Sequence, residues 1–140
     1  MPTLTTERLT LVPLGPEHVD GTWASLQEPE VLRLTGTHAA FTREGVSAWL
    51  ESLRDREDRA DWAILRSDDG THLGEVVLND VDAGNLSAGF RLEVYAFNPR
   101  AQRAYEKAGF VVEGRRRDAL LWDGEWVDAV VMGCLSHVEA

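Results

Sequence analysis

Cysteine is nearly absent from the chain. Its 140 residues include only Cys134, so the chain cannot form an internal disulfide. A protein without disulfides suits a reducing compartment, and we therefore expect it in the cytoplasm. Cys134 lies in an apolar run, which favours a plain core position over a reactive one.

Long apolar segments are also lacking. No run approaches the ~20 apolar residues of a transmembrane helix, and residues 1–7 lack the basic and apolar parts of a signal peptide. The four histidines, at positions 18, 38, 72 and 137, do not have the spacing of metal ligands. The sequence therefore predicts no membrane span and no metal site.

Basic residues are the scarcer charged class. The chain has 14 lysines and arginines against 24 aspartates and glutamates, which gives a formal net charge of −10 at pH 7. An acidic surface repels nucleic acids and anionic membranes and attracts amines or basic peptides. We therefore expect no nucleic-acid partner and no membrane partner, and the charge favours an amine as substrate.

The remaining composition is ordinary for a globular protein, with 44% hydrophobic and 27% charged residues. A chain of 140 residues can bury a core of its own, so we expect residues 1–140 to form a single domain. Apolar periodicity predicts helices over Pro16–Leu26 and after Thr42, with Trp23 and Trp49 in the core. The predicted strands are Leu4–Leu14, Trp62–Leu65, Leu73–Leu78, Ser87–Arg91, Leu92–Phe97, Val111–Gly114, Leu120–Trp122 and Trp126–Leu135, and Asn79–Asn85 is a predicted turn.

The most specific pattern runs from Leu92 to Phe110. Its first six residues are almost all apolar, as in a strand that is covered on both faces. Asn98 is a strong helix N-cap, and Pro99 suits the first helical position because no N–H is needed there. Gly109 can take the left-handed conformation that ends a helix, with Phe110 folding back on the last turn. The stretch therefore predicts a strand that leads directly into a capped helix.

The pattern Asn-x-x-Ala-x-x-Ala-Tyr-x-x-x-Gly-Phe over residues 98–110 resembles the strand–helix signature of the GCN5-related N-acetyltransferases. The resemblance implies an α/β (α+β) fold with a mixed, mostly antiparallel sheet flanked by helices, and transfer of acetyl from acetyl-CoA to a primary amine. It also implies that Asn98 contacts the cofactor and that Tyr105 donates a proton to the departing thiolate. Arg91 and Arg103 are further cofactor-binding candidates. The alternative for Tyr105 is that it only packs the helix against the sheet.

Residues 73–78 resemble the strand of this family that faces the acceptor amine. Several members use a carboxylate in this region as the general base, because the amine must lose a proton before it attacks the thioester. Glu75 is the candidate here, and Asp80 and Asp82 are the next ones. The alternative is that Glu75 is a solvated strand residue without a chemical role.

Two shorter strings resemble one branch of the family. Leu-x-Thr-Glu-Arg-Leu-x-Leu over residues 4–11 and Trp-Asp-Gly-Glu-Trp-x-Asp over residues 122–128 are similar to segments of the Rim-type ribosomal-protein acetyltransferases. The implied acceptor is a protein N-terminus or an amine-bearing small molecule. Asp128 could bind a cationic amine, although hairpin structure alone explains the second string. The cluster Arg115–Arg117 could contact a CoA phosphate or, as charges on an exposed strand edge, discourage aggregation.

One element that the resemblance leads us to expect is missing. The family's Arg/Gln-x-x-Gly-x-Gly/Ala loop opens a helix, and its N–H groups hold the pyrophosphate of acetyl-CoA. Here Arg91 is followed directly by Leu92, although the strands they match are parallel in the family and need a crossover of about a dozen residues. Three explanations follow: the sequence omits a segment, the protein is genuinely shortened and lacks the central crossover helix, or the fold differs.

The missing loop leaves other functions open. A chain with a damaged cofactor site could be a catalytically impaired binding or interaction module, or a second chain could complete the site. Surface left uncovered by the absent helix would favour association, so a homodimer is a further partner to test.

Overall fold

We describe the protein from a computed structural model, which defines residues 2–78 and 89–135. The predicted turn at Asn79–Asn85, the start of the strand predicted from Ser87, and the tail from Ser136 lie outside the described residues. None of the described helices combines the length and the apolar character that a membrane crossing requires. Nor do the described residues bring together three potential metal ligands.

The chain contains four α-helices, two single-turn 3-10 helices (Pro16–His18 and Leu53–Asp55) and seven strands in its described part. The helices are α1 (Val19–Leu26), α2 (Pro29–Leu34), α3 (Arg43–Ser52) and α4 (Pro99–Lys107). The strands are β1 (Leu4–Thr5), β2 (Leu9–Pro13), β3 (Ala60–Arg66), β4 (His72–Leu78), β5 (Gly89–Tyr95), β6 (Val111–Trp122) and β7 (Glu125–Leu135). The predicted first strand is therefore two short antiparallel strands, and the two strands predicted between 111 and 122 are one.

Contacts divide the chain into two compact units. The first comprises Met1–Pro29 with Ala39–Ala83, and the second comprises Glu30–His38 with Gly84–Ala140. Each unit has its own antiparallel sheet, ordered β1-β2-β3-β4 in the first and β5-β7-β6 in the second. The expected α/β class with mostly antiparallel sheet is confirmed, and every strand pair within 2–78 and 89–135 is antiparallel.

The core of the first unit forms between its sheet and α1 and α3. Thr42 caps α3 as predicted, since its hydroxyl accepts the N–H of Gly45 at 3.0 Å. Helical spacing then turns Val46 and Leu50 inward, where both are buried against Ala63 of β3. The expectation that Trp49 also lies in the core is wrong. It is 39% exposed, because it lies at the margin of this face, and the Arg59 guanidinium covers its ring at 5.6 Å.

The second unit is built on the β6–β7 hairpin. The predicted Asp123-Gly124 turn is confirmed, and the backbone φ angles of 50° and 79° at these residues are those of the tight turn that matches strand twist. β7 lies at the centre of this sheet, between β6 and β5. Val94 of β5 packs with Val130 and Met132 of β7 in the core of the unit.

The helix of the strand–helix stretch has the predicted boundaries, whereas the strand predicted at Leu92–Phe97 is part of β5 and ends at Tyr95. α4 begins at Pro99 after the Asn98 cap, and it is followed by Gly109 with a φ of 101°. The N–H of Phe110 then donates to the carbonyl of Tyr105 at 3.0 Å, which closes the last turn.

The prediction that this strand is covered on both faces is wrong. Val94 is buried on one face of β5, whereas Arg91 and Glu93 on the other face are exposed. The reason is that β5 lies in an antiparallel sheet, where one face can remain solvated, and not in a fully covered parallel one.

Candidate active site

A cleft of about 330 Å³ lies beside β5 within the second unit. One wall is β5 itself, and the others come from the end of α2 and the first turns of α4. The cleft is therefore placed where the predicted strand leads into the predicted helix. Its lining residues are Leu34, Thr35, Glu93, Val94, Tyr95, Asn98, Ala101 and Tyr105.

The edge of β5 beside this cleft has backbone donors to offer. β5 is the terminal strand of its sheet, so its outer edge has no strand partner among the described residues. The N–H of Ala96 donates to the backbone carbonyl of Asp128 at 2.8 Å, so it points toward β7. In the same register the N–H of Val94, two residues earlier, also points toward β7. Antiparallel pairing alternates, so the N–H groups of Glu93 and Tyr95 point toward the outer edge. This edge can donate hydrogen bonds to a bound oxygen.

Asn98 has two separate functions available to its side chain. Its Oδ1 accepts the N–H of Ala101 at 3.1 Å and so caps α4. Its amide nitrogen makes no hydrogen bond within the described part of the chain. Because Asn98 lines the cleft, that amide N–H can donate to a ligand while the oxygen holds the helix.

Tyr105 lines the same cleft from the second turn of α4. Its ring packs edge-to-face on Phe110, with the ring centroids 5.6 Å apart, and this contact fixes the ring against the end of the helix. The residue is nevertheless 37% exposed. Packing on the helix end and access to the cleft are therefore compatible, and the structure brings Tyr105 and Asn98 together.

Sequence reasoning did not single out Leu34, Thr35 or Gly36 as residues of this cleft or its wall. Gly36 has a φ of 64°, and a Cβ at this position would lie 2.7 Å from the ring of Tyr95. Only glycine fits this close approach, which brings Leu34 and Thr35 beside β5. The one available signal was a glycine two residues after the end of a short helix. The contact between this segment and Tyr95 depends on tertiary packing.

The two predicted arginines do not line the cleft. Arg91 lies on the exposed face of β5, and its Nε is 3.1 Å from Oε1 of Glu113. Arg103 is an exposed residue of α4. An arginine that already pairs with a carboxylate has less of its charge available to a ligand.

Glu75 lies on β4 in the first unit. Its Oε1 accepts a hydrogen bond from the hydroxyl of Thr22 on α1, and Nε2 of His72 lies 3.4 Å from the same oxygen. The Glu75 side chain is 29% exposed, so it is neither fully solvated nor sealed in the core. The other two candidate bases, Asp80 and Asp82, lie outside the described residues.

The basic cluster predicted at 115–117 is on the edge strand β6. Nε of Arg115 lies 2.7 Å from Asp128, and Nη1 of Arg116 lies 2.7 Å from Glu93. A wide, open recess of about 720 Å³ lies beside this cluster. Since two of its three arginines already pair with carboxylates of the same unit, we regard this recess as a weaker ligand site than the cleft.

Asp128, a candidate for binding an amine, holds together an irregular part of β6. Its Oδ1 accepts the N–H of Asp118, which has a φ of 50°, at 2.9 Å, and its other oxygen pairs with Arg115. The Asp118 N–H, followed by Arg115, lowers the pKa of Asp128 from its ordinary value. The carboxylate is therefore engaged by its own sheet.

We expect Asp128→Asn to remove a pH-dependent contribution to stability. A carboxyl whose folded-state pKa is lowered stabilises the fold above its unfolded pKa of about 3.9, and this contribution disappears as pH falls through the folded value. Asparagine keeps an oxygen for the Asp118 N–H but removes the charge and the oxygen that accepts from Arg115. Urea unfolding should show the wild type more stable near neutral pH, with the difference shrinking below about pH 4. A difference that stays constant across the acid range would contradict this assignment.

Comparison with known proteins identifies the family. Residues 8–95, more than half of the chain, match the acetyltransferase (GNAT) domain. The structure of spermidine N-acetyltransferase from Vibrio cholerae, solved with CoA and spermine, is similar, with a TM-score of 0.81 and 15% identity over 93% of this chain and 96% of that one. A GCN5-related N-acetyltransferase from Brucella melitensis is also similar, with a TM-score of 0.71 and 18% identity over 96% and 78% of the two chains.

These identities are low enough that the solved structures show the fold alone, and no curated protein matches the sequence significantly. The domain match carries the family assignment, and it extends across the Arg91–Leu92 junction. GNAT acetyltransferases use acetyl-CoA as the acetyl donor. The chain therefore belongs to the GNAT family of N-acetyltransferases.

Proposed function

We propose that this chain transfers acetyl from acetyl-CoA to a primary amine, and that the cleft beside β5 is where the donor's reactive end binds. The observation that carries the proposal is that Asn98 and Tyr105 line one cleft at a strand edge whose outward N–H groups have no strand partner among the described residues. Polar donors at a half-enclosed cleft can bind and polarise a carbonyl.

Part of acetyl-CoA fits the residues that are present. It supplies an acetyl group activated as a thioester, carried on an arm that contains amide groups. The outward N–H groups of Glu93 and Tyr95 can donate hydrogen bonds to carbonyl oxygens of the acetyl group and the arm. The side-chain amide N–H of Asn98 is a further donor. The described residues do not include the family's cradle for the pyrophosphate, since no glycine-rich loop with the family spacing opens a helix within 2–78 or 89–135.

Tyr105 is the proposed general acid. Its hydroxyl would give a proton to the sulfur as the thiolate leaves, and the edge-to-face contact with Phe110 would keep that hydroxyl in place. Arg91 and Arg103 remain proposed contacts for the donor's phosphates, from positions outside the cleft. To contact a phosphate, Arg91 would have to exchange its ion pair with Glu113 for one with the phosphate.

Glu75 is the proposed general base. One of its oxygens would accept the proton that the acceptor amine loses, which leaves the amine a lone pair for attack on the acetyl carbonyl. What supports this role is partial exposure together with fixed hydrogen bonding, because a base must be reachable and also held in place. A purely structural Glu75 is the competing proposal.

The acceptor is proposed to be a protein N-terminus or a small amine. The net charge of −10 favours a cationic acceptor, and one similar structure is a spermidine N-acetyltransferase with spermine bound. The strings at 4–11 and 122–128 lead us to propose the Rim-type branch, whose acceptors are N-terminal amines. Both acceptor types are primary amines, so one assay can compare them.

The experiment is to incubate the purified chain with acetyl-CoA and either spermidine or a peptide with an N-terminal alanine. Mass spectrometry of the acceptor is the measurement, and the same peptide with a blocked N-terminus is the matched control. We expect a mass increase of one acetyl group on a free primary amine and none on the blocked peptide. Transfer no faster than without protein, for both acceptors, would reject the proposed activity.

We further propose that the crossover segment is absent and that acetyl-CoA therefore binds more weakly than to a family member that has its pyrophosphate loop. β5 runs as one strand through the Arg91–Leu92 junction, with both residues paired to β7. Mass spectrometry of the intact polypeptide should give 15.6 kDa, and calorimetric titration should give an affinity well below that of such a member. A mass greater by more than about 1 kDa, the least that a crossover of a dozen residues adds, would reject this proposal.

A second candidate function is a binding module whose cofactor site is incomplete, or is completed by a second chain. The observation that favours it is the outer edge of β5, which no described strand covers. Acetyl-CoA should then raise the melting temperature only at protein concentrations where the chain is a dimer, or not at all. A dilution series with size-exclusion chromatography distinguishes these outcomes from a functional monomer.

A further inference from the structure

We infer that Thr22 and His72 are positioning residues that hold Glu75 ready to act as the base. This inference rests on the proposed function of Glu75. Thr22 Oγ1 donates to Oε1 of Glu75, and Nε2 of His72 lies 3.4 Å from that same oxygen. Thr22 therefore donates to Oε1 and His72 lies within reach of it, while Oε2 makes no hydrogen bond among the described residues and can accept a proton. All three residues belong to the first unit.

A strand irregularity puts His72 and Glu75 on the same face of β4. In a regular strand, residues three apart point to opposite faces. Here the β3–β4 register shifts between Ile64 and Leu65, so β4 contains one extra residue at this point. His72 then pairs with Leu65, and Glu75 with the buried Ala63. The shift therefore creates the contact between imidazole and carboxylate.

Helix α1 has a glycine where the imidazole of His72 packs against it. A Cβ at Gly21 of α1 would lie 2.3 Å from Cγ of His72 and 2.7 Å from its Cβ. Both atoms lie close to the backbone of His72, so they cannot move away as the far end of a long, flexible side chain could. Gly21 thus leaves the space that the His72 ring occupies, and the next residue, Thr22, supplies the second donor to Glu75.

The Nε2 atom of His72 is buried and has no hydrogen-bond partner in the described part of the chain. A buried polar nitrogen without a partner is costly, and Oε1 of Glu75 is an acceptor 3.4 Å away. The small shift that shortens 3.4 Å to about 3 Å would make this bond. His18, whose ring centroid is 6.2 Å from that of His72, is a neighbouring ring and not a hydrogen-bond partner.

Nitrogen-15 NMR of the imidazole tests this arrangement without any need for activity. In the wild type we expect His72 to carry its proton on Nε2, with an Nε2–H signal protected from exchange. Glu75→Leu removes the acceptor and should abolish that protection, whereas Thr22→Ser should preserve it. A proton on Nδ1, or an Nε2–H signal that Glu75→Leu does not change, would overturn the inference.

Kinetics with the best acceptor tests whether the arrangement matters for the reaction. Thr22→Val and His72→Leu should each lower kcat by about three- to tenfold, the size of one typical hydrogen bond, with little change in the acceptor KM. Thr22→Ser and His72→Gln keep a donor near the same place and should restore most of kcat. Gly21→Ala alters no donor but displaces the imidazole, so it should behave like His72→Leu.

Glu75→Gln separates failure of the inference from failure of the proposed function. If Glu75→Gln abolishes transfer while Thr22→Val and His72→Leu retain the wild-type kcat, positioning is overturned and the base is retained. If Glu75→Gln leaves kcat unchanged, the base is wrong and the inference falls with it. If the wild type transfers no acetyl, the proposed function fails, and the Nε2–H signal alone decides whether Glu75 is held.

Discussion

Tyr105→Phe is expected to lower kcat by about 10²- to 10⁴-fold, the usual contribution of a positioned general acid. The substitution removes one hydroxyl and keeps the ring, so the edge-to-face contact with Phe110 and the shape of the cleft should persist. The acetyl-CoA affinity should change little, because a group that acts only on the leaving thiolate contributes mainly in the transition state. Initial rates of CoA release, together with a binding titration, are the measurements.

Glu106→Gln is the matched control for Tyr105→Phe. Glu106 occupies the next position of α4, is exposed, and accepts a hydrogen bond from Gln102 at 3.1 Å. It does not line the cleft. Its replacement should leave kcat within about twofold of the wild type, as for most surface changes of this kind. If Tyr105→Phe retained the wild-type kcat, the hydroxyl would have no acid role and the packing alternative would hold.

Leu50→Ala is expected to lower the free energy of unfolding by about 2–5 kcal/mol, the range for a buried leucine. Leu50 has no exposed surface and lies in the core that also includes Val46 and Ala63. The loss combines the transfer free energy of the removed atoms with the cavity that α3 and the sheet cannot fully close. A loss at the upper end would be a large share of the stability of a small protein. Urea unfolding followed by circular dichroism is the measurement.

Leu73→Ala is the control for this core substitution. Leu73 lies on β4 in the same unit and is 47% exposed, so the same change of side chain removes far less buried surface. It should cost less than about 1 kcal/mol. Equal losses from the two substitutions would mean that Leu50 is not in a close-packed core, and that the first unit is more loosely packed than its burial indicates.

Capping and turn residues, which act locally in the sequence, were sufficient to predict most of the secondary structure. The Asn98 cap, Pro99 at the first helical position and Gly109 after the last turn act within a few residues, so they predicted α4 closely. The Asp123-Gly124 turn likewise fixed the β6–β7 hairpin, because few other residues tolerate two successive positive φ angles. Such signals depend on the backbone near them and not on the rest of the fold.

Two predictions about which residues are buried were wrong. Helical spacing placed Trp49 with Val46 and Leu50, but spacing cannot say where the covered part of a helix face ends. The apolar run of β5 predicted two covered faces, yet its neighbour is the antiparallel β7, and Arg91 and Glu93 remain exposed. In both cases the deciding contact is distant in sequence.

The sequence by itself determined the family, through the domain match and the strand–helix signature, and it placed Asn98 and Tyr105 on adjacent turns of one helix. Only the tertiary structure brought Gly36 against Tyr95 to form the cleft wall. Only the shifted register of β4 turned His72 toward Glu75. The physical reason is that capping and turn preferences are local free energies, whereas a cleft or a hydrogen-bonded cluster depends on which distant surfaces pack and in which register.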